Sequence, residues 1–241
     1  MKLSLIIPAY NEQDYLADCL RHALRETRAQ AARGPFEIIV INNASTDRTA
    51  EVAAGFADVR VIHEARKGLT HARQRGLEEA QGEILAYIDA DTRMAPGWLG
   101  RVLDLYQARP DAVCVSGPYT YYDLAKFKSA LVRLYWLMLA KPTYLFTQYM
   151  AVGGNFAARR NALVEIGGFD TNIAFYGEDT NIARRLADVG RVIFDMGLIM
   201  PTSARRLDEE GFVMTAMRYM MNFMSEVVLK RPTTNAYRDV R

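Results

Sequence analysis

Cysteine is nearly absent from this 241-residue chain: Cys19 and Cys114 are the only two. No CxxC spacing occurs and Cys114 lies inside an apolar run, so buried thiols in a reducing compartment are expected, not a disulfide. Long apolar runs are also missing. The most lipid-like stretch, SALVRLYWLMLA at 129–140, contains Arg133, runs into Lys141-Pro142, and falls short of the roughly 20 residues a span requires. The opening MKLSLIIPAYNE is too short and too broken by Pro8 for a signal peptide and reads as a first strand. No transmembrane helix is expected, and the expected place is the cytoplasm or the inner face of a membrane. Charge of one sign is lacking too: the net charge is +2 and no long Lys/Arg run occurs, which argues against nucleic acid as a partner. Glycine is missing from the turn after the first strand, PAYNE, which removes the dinucleotide fingerprint. The absence of GxxxxGK[ST] excludes the usual P-loop.

What is present is a large supply of core. Half of the residues are hydrophobic and 24% are charged, an ordinary globular balance. Short apolar runs at 3–7, 37–41, 59–62, 83–88 and 112–116 read as strands. Between them come helical patterns. Asn11 and Asp14 form a candidate capping box for a helix carrying Leu16, Leu20 and Leu24. A second helix is expected from near Ser45 to Gly55, a third from Thr70 toward Gly82, and a fourth opened by Pro96. Alternation of this kind implies an α/β fold: a mainly parallel sheet flanked by helices, with ligands beyond the carboxyl ends of the strands. The regularity fails near residue 120. An aromatic-rich stretch follows, then glycine-marked GGNFAARRNALVEIGGFD and a helix entered through Glu178 and Asp179. The expected division is a catalytic-type domain over 1–203, with a nucleotide-binding half (1–116) and an acceptor-binding half (117–203), and a helical C-terminal elaboration over 204–241.

The stretch AYIDADTR, 86–93, runs an apolar strand into Asp89 and Asp91. A polar turn is the plain reading. The sharper one is that side chains two apart on extended chain share a side, so both carboxylates can serve one divalent cation. A Rossmann-like sheet without a phosphate-cradling loop needs such a positive partner for a diphosphate. With no Cys/His cluster, the ion expected on Asp91, with Asp89 beside it, is Mn²⁺ or Mg²⁺. Haloacid-dehalogenase-like phosphatases also end a strand in hhhhDxDx[TV], but Arg93 holds the final position here.

Five motifs in order carry a resemblance: LIIPAYNE, EIIVINNASTD, GLTHARQRGLEEAQGE leading to DAD and PGWL, then GGFD and GEDTNIARRL. Together, over nearly the first 200 residues, they resemble the family 2 glycosyltransferases of the GT-A fold. The resemblance implies inverting, metal-dependent transfer of a sugar from a nucleotide-diphosphate donor, UDP first, to a glycan, a lipid-linked acceptor or a small molecule. It implies that Pro8, Ala9, Tyr10 and Glu12 line the nucleoside pocket and that Asn42 takes the base-contacting place. Arg73 approaches the base or phosphates, and Asp89 contacts the ribose or helps Asp91 hold the ion. It makes Asp179 the general base and gives Glu178 the acceptor hydroxyls or the orientation of that base.

Two departures stand out. Asn42 and Asn43 replace a frequent Asp pair, which leaves the nucleotide base open. None of His22, His63 and His71 matches a family histidine after the base, and in that region PTSARRLDEEG offers Arg205 and Arg206 to the diphosphate instead. Each residue also has a plainer use: Glu178 and Asp179 as helix caps, paired arginines as solvated charge, Trp98 as core instead of acceptor wall. Apolar residues at 213, 217, 220, 224 and 227 or 228 make a helical stripe. That stripe packs on the core or, with Lys126, Lys128, Arg133 and the aromatic 134–149 region, rests peripherally on a membrane; both readings stay open. Two other classes remain: a non-catalytic nucleotide-sugar-binding partner subunit, and a sugar nucleotidyltransferase, whose Gly-rich, Arg-containing loop PAYNEQD lacks.

Overall fold

The computed structural model describes residues 2–173 and 175–211, together with 221 and 225. The stripe expected at 213–228 and most of the 204–241 extension therefore lie outside the described residues. All five expected strands form: β1 (Leu3–Ala9), β2 (Phe36–Asn43), β3 (Val59–Glu64), β4 (Ile84–Ile88) and β5 (Ala112–Ser116). The helices between them are α1 (Leu16–Ala29), α2 (Thr49–Ala54), α3 (Leu69–Glu79) and α4 (Trp98–Ala108). The second half adds β6 (Tyr119–Tyr121), α5 (Lys126–Tyr135), a π-helical turn (Trp136–Ala140) and α6 (Lys141–Thr147). It continues with β7 (Asn155–Arg159), α7 (Arg160–Glu165), α8 (Glu178–Ala187), β8 (Arg191–Phe194), β9 (Met200–Thr202) and α9 (Arg205–Glu210).

Seven strands form one sheet in the order β3-β2-β1-β4-β7-β5-β8. It is parallel except for β7, which runs antiparallel to both β4 and β5. A small parallel pair, β6 and β9, stands beside it. Side chains alternate between the two faces, as the two-residue period requires. Leu3, Leu5 and Ile7 pack with α1 and α4, whereas Ile6, Ile39 and Ile41 pack with α3, α7 and α8. Both faces are covered, which is why β1 is buried at every position and reads as a continuous apolar run. The glycine-marked segment at 153–160 thus holds a central strand that periodicity did not show. Cys19 and Cys114 are free and buried, as expected.

Three helix starts differ from expectation. The capping box at Asn11 and Asp14 does not form: α1 begins at Leu16 with no side-chain cap, and Asn11 adopts a left-handed φ of 52°. Its Oδ1 instead accepts the Thr46 N–H at 2.8 Å. The loop after β2 is tied to the loop after β1, with the Glu12 N–H donating to Thr49 Oγ1 at 2.7 Å and the Asn11 N–H to Ser45 Oγ at 3.1 Å. The second helix consequently starts at Thr49 and not near Ser45. The fourth starts at Trp98, because Gly97 before it turns left-handed.

Asn155, fully buried at the start of β7, joins the two halves. Its Oδ1 accepts from Trp98 Nε1 at 2.9 Å, and its Nδ2 donates to the carbonyls of Gly117 at 2.9 Å and Leu198 at 2.8 Å. Trp98 is 3% exposed, so it is core and not an acceptor wall. Asn155→Ala strands a buried indole N–H and two carbonyls. It should cost about 3 kcal/mol or more, read as a lowered midpoint of chemical unfolding. Trp98→Phe strands one acceptor and empties part of a buried site, so it should lower the midpoint as well.

Candidate active site

A cavity of about 400 Å³ opens beyond the carboxyl ends of β1 and β4. Of the residues singled out in the sequence, Pro8, Glu12, Arg73, Asp89, Asp91, Glu178, Asp179, Arg205 and Arg206 line it. Ala9, Tyr10 and Asn42 do not. Ala9 is buried beside Asn42 in the β1–β2 register, and Lys67 Nζ meets the Tyr10 hydroxyl at 2.8 Å and the ring face at 4.0 Å. None of the three histidines reaches the cavity wall.

Asp89 and Asp91 come together by a route the strand argument did not foresee. Strand β4 stops at Ile88, and residues 89–92 form a turn closed by the Thr92 N–H to the Asp89 carbonyl at 3.2 Å. The two carboxylates face different partners. Asp89 Oδ2 accepts from the Tyr119 hydroxyl at 2.8 Å, and its Oδ1 is 3.5 Å from Arg73. Asp91 Oδ1 accepts from the Thr202 hydroxyl at 3.2 Å, and its Oδ2 lies 3.0 Å from Arg205. Arg205 also reaches Glu12 at 2.6 Å and lies over the Tyr15 ring at 4.5 Å. Burial opposes the Arg205 charge, but Asp91 and Glu12 more than reverse this and hold its pKa above the usual value.

Arg73 lies against the cavity with its side chain 1% exposed, ion-paired with Glu178 and close to Asp89. Glu178, 7% exposed, pairs with Arg73 and also lines the cavity. Burial pushes its carboxyl up to about 7 against the pull of Arg73. Asp179 is half-buried beside it, and its Oδ1 accepts the Thr180 N–H at 2.8 Å. Its pKa is also raised, burial outweighing that N–H and Arg73. The helix N-terminus lowers a carboxylate pKa and desolvation raises it; in both residues desolvation wins.

Two glycines make this crowding possible. A methyl group at Gly154 would collide with Asp89 and the Tyr119 hydroxyl, and one at Gly153 with Glu178 and Arg73. The GG pair therefore admits the site's own side chains, a more specific need than approach to a sugar. Tyr119 and Thr202, which hold the two aspartates, carried no sequence signal: they stand 30 and 111 residues from their partners in the chain.

Among the described residues no group of three or more His, Cys, Asp or Glu side chains forms a complete cage for a metal ion. Asp91 and Asp89 still fit a hard divalent cation, since both offer carboxylate oxygens to one cavity and a diphosphate brings further oxygens. Asn43 is spent on structure, donating to the Arg66 carbonyl at 2.7 Å and accepting the Gly68 N–H at 2.8 Å. Asn42 Oδ1, by contrast, is buried without a hydrogen-bond partner.

Solved structures share this architecture. A mannosyltransferase from Pyrobaculum calidifontis in complex with GDP-Man and Mn²⁺ superposes with a TM-score of 0.72 at 21% identity, over 94% of this chain and 64% of that one. Glucosyl-3-phosphoglycerate synthase from Mycobacterium tuberculosis, in complex with Mn²⁺, UDP and phosphoglyceric acid, gives 0.62 at 19% identity, over 95% and 78%. These likenesses identify the fold as the GT-A type. In sequence, a glucosyl-dolichyl phosphate glucuronosyltransferase of Haloferax volcanii is 25% identical over 187 residues, which are 74% of this chain and 59% of that protein. The chain thus spans about three-fifths of that relative's length. Residues 4–167 match the family model described as Glycosyl transferase family 2. That match takes in well over half of the chain, from the second residue of β1 through β7, and the chain belongs to glycosyl transferase family 2.

Proposed function

We propose that the chain is an inverting glycosyltransferase that moves a sugar from a nucleotide-diphosphate donor to a hydroxyl acceptor by single displacement. The observation that carries the reading is the meeting of Asp89 and Asp91 with Glu178 and Asp179 around one cavity, in a member of this family. Residues 1–116 supply the donor side and 117–203 most of the acceptor side. Pro8 and Glu12 flank the nucleoside, with Tyr10 and Ala9 just outside the cavity. Asn42 stands at the family's base-contacting position, behind the cavity lining, and leaves the base open, with UDP first. A divalent cation, Mn²⁺ or Mg²⁺, held by Asp91 with Asp89 beside it, would supply charge neutralisation at the diphosphate. Arg205 and Arg206 add fixed positive charge at the same edge.

In the transfer itself, Asp179 takes the acceptor's hydroxyl proton as that oxygen bonds to the anomeric carbon. The bond from that carbon to the diphosphate breaks on the opposite face, and the nucleotide leaves with its electron pair. Glu178 acts as a positioning residue: its pair with Arg73 fixes the start of α8 and therefore the direction of Asp179. The acceptor is a glycan, a lipid-linked acceptor or a small molecule. The Haloferax relative is named for a dolichyl phosphate substrate, and the apolar wall from Leu131, Tyr135 and Trp136 suits a lipid-linked one.

Three outcomes test this. Calorimetry with UDP, GDP, CDP and dTDP, each with and without Mn²⁺, should find one metal-dependent binder, weakened about tenfold or more by Asp91→Ala. Asp179→Asn should lower kcat by about 10²–10⁴ and leave nucleotide affinity within about twofold; wild-type turnover in that variant would remove Asp179 as the base. The base must be ionised to act, so kcat/KM should fall as pH drops through a limb lying above the ordinary carboxylate range of about 4. With Glu178 held up to about 7, its charge reaches Asp179 only near or above neutral pH, so Glu178→Gln should move a limb lying there to lower pH. An unmoved limb would separate the two carboxyls.

A further inference from the structure

Residues 126–147 form one helical run through α5, the π turn and α6, about 33 Å long at 1.5 Å per residue. Only Ala140 within it is buried. One side is fastened to the domain: Trp136 Nε1 donates to the Tyr119 carbonyl at 2.9 Å, and the Tyr144 hydroxyl donates to the Val192 carbonyl at 3.2 Å. The other side is apolar and open to solvent. Phe127 is 75% exposed, Leu134 51%, Met138 67% and Phe146 89%. With Leu131, the first three fall at helical spacing, a stripe along one face. A contiguous exposed apolar face of this kind marks a surface that meets something.

The charge pattern selects what it meets. Lys126, Lys128, Arg133 and Lys141 lie in this run, and no Asp or Glu occurs from Leu124 to Val164. A second copy related by a two-fold axis would lay this basic face on itself. The chain's own residues 212–241 carry Arg218, Lys230, Arg231, Arg238 and Arg241 against only Glu226 and Asp239, so they too are positive. Neither occupant complements the charge. Anionic lipid head groups do, and the apolar stripe suits the acyl boundary beneath them. No helix among the described residues is long and apolar enough to cross a membrane, so the run is suited to lie along a surface.

We propose that the 126–147 helix docks this domain on the surface of an anionic bilayer. Leu131, Val132, Tyr135 and Trp136 of the same helix wall the cavity, so docking brings the cavity to the lipid surface. What then enters it rests on the glycosyltransferase reading; the docking does not.

The test is sedimentation of the full chain with vesicles of phosphatidylcholine alone and of phosphatidylcholine mixed with phosphatidylglycerol. The chain should pellet with the mixed vesicles, less so at high salt. The combined variant Phe127→Ser, Leu134→Ser, Met138→Ser and Phe146→Ser, all at exposed positions outside the cavity wall, should lose about tenfold or more in vesicle affinity. Lys126→Gln with Lys141→Gln should lose about fivefold per charge removed. Unchanged unfolding midpoints and nucleotide affinity in these variants keep a docking failure apart from a failed fold or a failed donor site. The proposal is overturned if wild type stays in the supernatant with both vesicle types, or if the variants bind as wild type does. It is equally overturned if the chain is a dimer without lipid and the serine variant makes it monomeric.

Discussion

A buried guanidinium holds this site together. Arg73 comes from α3, in the first half of the chain, and meets Glu178 from the start of α8 and Asp89 from the turn after β4. A lone charge at that depth would be prohibitively costly, and two carboxylates without it would repel each other. Burial lowers the pKa of Arg73 and the two carboxylates raise it further, so the cation is held charged. Asp89 and the start of α8, which also carries Asp179, meet at this arrangement. Gly153 and Gly154 are its steric condition, because any side chain there would fill the space the three charges occupy.

A second ionic centre lies at the cavity's other edge and works differently. Arg205 bridges Glu12 and Asp91 at the start of α9, and it is partly exposed where Arg73 is not. Ser203 and the Ala204 N–H anchor that segment on Asp123, each at 2.7 Å. The acidic residues of the cavity are thus neutralised from two directions: from below by a fixed arginine, and from the side by one on the C-terminal segment. In the proposed reading a diphosphate and its ion would meet Asp91 of the second centre with Asp89 of the first beside it.

The fold was largely legible because a parallel sheet covered on both faces writes itself as apolar runs between amphipathic helices. Strands β1 to β5 and helix α8 were readable in this way. Strand β7 was not, since NFAAR is short, begins with a buried Asn and ends on Arg, and its glycine prefix suggested only close approach. The helix starts at Leu16 and Thr49 were misplaced for one reason: Asn11, Ser45 and Thr49 spend their side chains across two loops, and not on their own helices.

The sequence by itself determined the inventory: a DxD turn at the end of an apolar strand, an acidic pair opening a helix, and motifs in an order that marks the family. These are local or ordinal properties, and a chain carries them wherever it folds. Tertiary structure alone decided which charges face which. It buried Arg73 against Glu178, set Arg205 on Asp91, assigned Tyr119 and Thr202 to the two aspartates, and left the 126–147 helix with its apolar side outward. Each of those pairings closes a separation of 30 to a little over 110 residues. Their energies depend on burial and distance, which a one-dimensional pattern does not contain.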